Sequence, residues 1–149
     1  MKIERGNLRI EPELYGTIRL AVVLTHERLI KADLDTPEMR EYLDGVRIIL
    51  SMRMVSSAGQ ANWHKQYIKL NVRLLAIYPE RLEETLAHEV AHVLSGKFFN
   101  DYGHGDGWKQ IMVKLGFKPE RYHYLDVSSL RPERPSSIFK RIYPIDIPE

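Results

Sequence analysis

"RLEETLAHEVAHVLSG", residues 81–96, is the stretch from which the rest of the chain is read. It follows Tyr78-Pro79, and a proline there suits a first helical turn. Glu80, Glu83 and Glu84 complement the positive end of a helix dipole, and Gly96 suits a C-terminal cap. Leu82, Leu86, Val90 and Val93 recur on one side and form the stripe expected to meet the core. At 100° per residue, His88 and His92 lie about 40° apart, one turn above the other, so both imidazoles can reach one ion. Glu89 sits at the edge of that face, and the histidines are expected off the buried stripe.

A His-Glu-x-x-His spelling gains chemical meaning from a third ligand, because catalytic zinc takes three protein ligands and keeps one position open. His104 stands in "YGHGDGW", with eleven residues between it and His92. Gly103 and Gly105 free the backbone on either side to turn the ring toward the helix. The expected site is therefore one Zn2+ on His88, His92 and His104. Metzincin spacing, with its shorter Gly-containing connection, is not met. Asp101 and Asp106 are alternative ligands; Asp106 better suits a cap for the helix opening at Trp108, and Asp101 support for an imidazole. Trp108 is read as a core anchor under the metal loop. Water activated by zinc ionises near pH 7, and Glu89, free of a ligand role, is placed to take its proton and pass it to a departing amine. Tyr122, His123 and Tyr124 in "RYHY" are candidates for a second oxyanion donor, with ordinary packing as the alternative for each. Trp63 is a candidate substrate contact.

Working outward, residues 11–33 read as a helix with Leu14, Ile18, Ala21, Val22, Thr25 and Leu29 near one face. "DTPEMREYLDGVRIILSM", residues 35–52, reads as a second, with Thr36 as N-cap, Pro37 in the first position and Gly45 an interruption. "ANWHKQYIKLN", residues 61–71, alternates in period two and reads as one strand, suited as an active-site edge to pair with an extended peptide. "WKQIMVKLG" is a short helix stopped by Gly116. From about residue 117 periodicity is lost. Residues 1–125 are read as the domain and 126–149 as a proline-rich basic arm.

At 149 residues, 44% hydrophobic and 28% charged, the chain suits one soluble globular domain. It has no cysteine, which excludes disulfides and thiolate metal sites. No leader or membrane-spanning run is visible, so a cytoplasmic, membrane-independent protein is the expectation, acting as a monomer on a protein substrate. A net charge of +2 is too small to argue for nucleic acid. Its distribution says more, since no acidic residue falls between Asp44 and Glu80, a span that holds Arg53, Lys65, Lys69 and Arg73. These four are the candidate contacts to DNA, against the plainer reading of a solvated face.

"SSAGQANW…YIKLN", "RLEETLAHEVAHVL" and "GHGDGWKQIMVKLGF" together resemble the SprT-like metalloprotease domain, the group that includes Spartan. The resemblance covers roughly residues 50–125. It implies an α+β, zincin-like fold with helices packed on a small antiparallel sheet, zinc at His88, His92 and His104, and Glu89 as base. It also implies peptidase activity on proteins crosslinked to DNA. The cysteine zinc ribbon that follows the domain in many such proteins has no counterpart here, so DNA contact rests on the basic stretch or the arm. Two other expectations compete with this one. The first is a nucleic-acid-binding module with a vestigial metal site; the second is a metallopeptidase with a dedicated protein target and no DNA dependence.

Overall fold

The computed structural model describes residues 1–120 and 128–130, with the backbone course of 122–126 and 142–146. In chain order the elements are β1 (Lys2–Glu4), α1 (Pro12–Lys31), α2 (Pro37–Asp44), β2 (Arg47–Ser51), β3 (Gly59–Asn62), β4 (Tyr67–Asn71), α3 (Val72–Ile77), α4 (Leu82–Phe98), α5 (Asp106–Lys114), β5 (Tyr122–Asp126) and β6 (Ile142–Asp146). The fold is α+β. The main sheet has the order β1-β2-β4-β3, and β5 pairs antiparallel with β6 in a second, two-stranded sheet. The sheet is mixed, not antiparallel as expected. β1–β2 and β2–β4 run parallel, with Ile48 opposite Ile68, and only β3–β4 is antiparallel. The parallel pairs join segments separated by long connections, which local sequence patterns do not reveal.

α1 forms where expected. Its buried residues Ile18, Ala21, Val22, Thr25 and Leu29 follow helical spacing and pack toward α4. Thr25 is accommodated in the core because its hydroxyl donates to the Ala21 carbonyl at 2.7 Å. α2 opens as expected, with the Thr36 hydroxyl accepting from the Met39 N–H at 3.3 Å, but it stops at Gly45 rather than running to Met52. Val46, Ile48 and Leu50 are buried and alternate with exposed Arg47 and half-buried Ile49. A β-branched run after a helix-stopping glycine is better accommodated in a strand, and β2 becomes the middle of the sheet.

The expected single strand over 61–71 is a hairpin. Its turn is held by the Asn62 side chain accepting from the Lys65 N–H at 2.8 Å, with Gln66 at φ 53°. Gly59 pairs with Leu70 and Asn62 with Tyr67, so β3 forms the outer edge of the sheet beside α4. α3 was not anticipated. It follows directly from β4 because fully buried Asn71 caps it, accepting from the Leu74 N–H at 3.1 Å while its amide donates to the Met54 and Ser57 carbonyls. Among the described residues, no helix is long and apolar enough to cross a membrane.

Candidate metal centre

α4 is buried on every side from Thr85 to Gly96. This corrects the expectation that its histidines lie off the buried stripe: His88 and Glu89 are 0% exposed and His92 is 4%. The leucine and valine stripe meets the core as expected. The opposite face is covered as well, by β3, the loop of residues 99–105 and Trp108. A helix closed in all round reads poorly by amphipathicity, because the polar side chains that mark its second face are themselves buried.

That second face is where the three histidines converge. His88 and His92 come from successive turns, and His104 reaches them from the loop. Their Nε2 atoms stand 3.2 Å apart for His88–His104, 3.2 Å for His88–His92 and 3.0 Å for His92–His104. Hydrogen bonding alone does not account for this triangle, since a neutral imidazole has one N–H and all three Nε2 atoms aim at one another. The ring planes fan at 54°, 64° and 80°, as rings directed at one point do. Three nitrogens about 2.0–2.1 Å from a tetrahedral zinc lie about 3.3 Å from each other, so the set fits such an ion closely. Burial, then the neighbouring His104, push His92 down to about 3 against a smaller opposing effect of Asp101, so its ring is neutral and its lone pair available at neutral pH.

Trp108 is fully buried beneath the three rings, as expected of a core anchor. Its indole N–H donates to the His88 carbonyl at 3.2 Å, and its ring centre is 4.6 Å from His88, 4.6 Å from His104 and 5.6 Å from His92. Asp101 orders the loop rather than supporting an imidazole directly. Its carboxylate accepts from the backbone N–H groups of Gly103 (3.1 Å), Gly105 (3.3 Å) and Trp108 (2.9 Å). Burial pushes this carboxyl up, but the three backbone bonds outweigh it and hold the group below its ordinary range. Asp106 does not cap α5; it lies inside the first turn, and Gly105 takes the cap position.

Glu89 is the chemically distinctive group. It is fully buried, and among the described residues neither carboxylate oxygen has a hydrogen-bond partner. Burial pushes it well above the usual carboxylate range. Gly59 of β3 lies directly against it, such that a Cβ there would meet Glu89 Oε2 at 2.8 Å and Cγ at 3.0 Å. Nothing in the spacing of the sequence marks Gly59 for this position.

The remaining candidates divide. Trp63, at the start of the hairpin turn, packs on Gly96 of α4 and stacks with Tyr102, a residue the sequence reading passed over. Arg53 and Lys65 are exposed, whereas the Lys69 ammonium sits 5.4 Å from the centre of the Tyr67 ring. Arg73 is tied into the structure, donating to the Leu130 carbonyl at 2.8 Å and the Met52 carbonyl at 3.5 Å. It lines a groove of about 670 Å³ with Ile10, Leu14, Met52, Val72 and Leu130, in which none of the histidines nor Glu89 takes part. The side chains of Tyr122, His123 and Tyr124 lie outside the described residues.

Residues 32–127 match the SprT-like family. The chain is 33% identical over 134 residues to Protein SprT of Klebsiella pneumoniae strain 342, covering 88% of this chain and 74% of that protein. It is 36% identical over 74 residues to Protein SprT of Pseudomonas putida, covering 47% of this chain and 45% of that protein. A second Klebsiella pneumoniae Protein SprT is 38% identical over 79 residues, or 51% and 48% of the two chains. In the Pseudomonas putida comparison the chain thus spans less than half of its relative's length. No solved structure matches it significantly. The matched span contains every residue of the histidine triangle together with Glu89, and the chain belongs to the SprT-like family.

Proposed function

We propose that this protein is a zinc-dependent endopeptidase whose substrates are proteins bound or crosslinked to DNA. The observation that carries the reading is a buried glutamate with no hydrogen-bond partner among the described residues, next in sequence to one of three histidines whose Nε2 atoms converge within 3.2 Å. A structural zinc site closes its fourth position with a protein ligand and has no use for a base beside it. A buried, unpartnered carboxylate is destabilising, which suits retention for chemistry rather than for the fold.

His88, His92 and His104 hold the ion, fixed by α4 on one side and by the Asp101-ordered loop on the other. Zinc bound there supplies positive charge for a peptide carbonyl and lowers the pKa of water to about 7. Glu89 accepts the proton that water gives up, on a carboxylate oxygen, as the new C–O bond forms. It then delivers that proton to the amine nitrogen as the C–N bond breaks. Burial raises the proton affinity of Glu89, the direction that suits a group which takes a proton from water and returns it. The outer edge of β3, which has no strand partner among the described residues, supports pairing with an extended substrate main chain. Exposed Arg53 and Lys65, in a span without acidic residues, support DNA as the second partner.

The test is cleavage of a DNA-binding protein by zinc-loaded enzyme, with and without single-stranded DNA, beside Glu89→Gln. Cleavage that DNA stimulates and Glu89→Gln loses is the expected result, with a fall of about 10²–10⁴-fold for the variant. Cleavage indifferent to DNA would replace the substrate class with a dedicated protein target. Salt-sensitive DNA binding with no cleavage under any condition would favour a binding module instead.

A further inference from the structure

The ligand row on α4 continues past the ligands. His88, His92 and Gly96 follow at four-residue spacing, so Gly96 stands about one turn, about 6 Å, beyond His92 on the same face. A Cβ at residue 96 would meet the Trp63 indole carbon Cγ at 2.5 Å and its Cβ at 3.0 Å. Trp63 therefore occupies the place in the row where another side chain would stand. Its backbone is fixed by the buried Tyr42 hydroxyl, which donates to the Trp63 carbonyl. Tyr102, two residues before His104, stacks on Trp63 with ring centres 5.6 Å apart and planes at 24°. Tyr102 is 49% exposed, and its hydroxyl reaches Asn100 Oδ1 at 3.2 Å. One ring is thus locked to the ligand helix, and the other, on the ligand loop, presents aromatic surface to solvent beside the metal centre.

We propose that Trp63 and Tyr102 form a side-chain subsite that takes an aromatic residue of an extended polypeptide, on the N-terminal side of the bond to be cleaved. The position rests on the peptidase reading; the aromatic recognition does not. Gly59 at one end of β3 lies on Glu89, and Trp63 just past the other end lies on Gly96, so the strand runs along α4 in the same sense. Among the described residues the outer edge of β3 has no strand partner. Antiparallel pairing is the more stable mode per residue, and on that edge it puts the N-terminal residues of a bound peptide at Trp63. The four helical residues from His92 to Gly96, about 6 Å, span about two residues of extended chain at about 3.3 Å each. The subsite therefore reads the residue about two positions before the cleaved bond. Offset stacking on Tyr102 favours a planar ring.

The experiment uses zinc-loaded Glu89→Gln and a set of fluorescent Ala/Ser decapeptides in which one Phe moves along the chain. Binding is repeated with Tyr102→Ala and Tyr102→Phe added, metal content and melting temperature being measured for each. One Phe position should tighten binding by about tenfold, and enzyme with Glu89 intact should cut about two residues beyond it. Tyr102→Ala should erase that preference with zinc retained, and Tyr102→Phe, which keeps the ring, should preserve it. Absence of any Phe preference overturns the proposal, as does a preference that survives Tyr102→Ala. So does a Tyr102→Ala defect confined to single-stranded oligothymidylate. Phe-dependent binding without cleavage by the intact enzyme keeps the subsite and removes the peptidase reading. Cleavage whose site selection ignores Tyr102→Ala keeps the peptidase reading and removes the subsite.

Discussion

Glu89 and Gly59 share one small space, and neither residue is intelligible alone. The carboxylate lies fully buried with the glycine Cα against it, so an added methyl has no room unless Glu89 turns aside. Gly59→Ala should therefore lower kcat by about 10–100-fold, since small misplacements of a reacting group carry costs of that order. Zinc stoichiometry should stay at wild type, because no ligand moves. A variant that loses zinc along with activity would show that Gly59 serves the fold rather than the base. His88, Glu89 and His92 were legible in sequence because helical spacing alone puts them together, and His104 because two glycines free its backbone to turn toward them. The role of Gly59 was not, because it exists only once β3 has folded over α4. Asp101 is similar. Its carboxylate gathers three backbone N–H groups around His104, an arrangement that spacing does not announce. Asp101→Ala should leave those donors to water and loosen the ring, weakening zinc affinity by about 10–100-fold, measured by chelator competition.

Elements were legible where one period dominated and the ends were punctuated. α1 and α5 fall within a few residues of the expected spans. The stretch after Gly45 was misread because Val46 and Leu50 keep a four-residue spacing that suits a helix as well as a strand, and only pairing with β1 and β4 decides between them. The hairpin was hidden because its turn, Trp63 to Gln66, continues the alternation of the flanking strands. Gly96 was read as the end of α4, yet the helix passes through it to Phe98. The glycine is there for Trp63, and this reverses an ordinary rule. A glycine-to-alanine change inside a helix normally stabilises by about 0.5–1 kcal/mol. At Gly96 the new methyl would press into the indole, and overpacking costs about 1–3 kcal/mol. Gly96→Ala should consequently destabilise by about 1–2 kcal/mol in urea titrations, while an unchanged or raised midpoint would mean that Trp63 is free to move away.

At the scale of the molecule, an ion held by the histidine triangle would tie α4, within the core, to a loop that is otherwise held chiefly by Asp101 and the indole of Trp108. The α+β class and the gathering of His88, His92 and His104 could be read from sequence; the parallel order of the sheet could not, since β1 is only Lys2–Glu4 and meets β2 across α1 and α2. The centre should accordingly make a large and separable contribution to stability. Three imidazoles whose Nε2 atoms converge suit a shared cation, and an ion bound only by the folded state stabilises it by mass action. With free zinc at about 1,000 times its dissociation constant that contribution is about 4 kcal/mol. In a chain of this size each kcal/mol moves the melting temperature by about 2–4 °C, so chelation should lower it by about 8–16 °C. His104→Ala should melt near the chelated wild type and respond little to added zinc, because the remaining pair sits on α4 alone. Glu89→Gln should keep the full response, since it holds no ion. Equal melting of zinc-loaded and chelated wild type would mean that the histidine triangle holds together without a metal, and the centre would lose its physical basis.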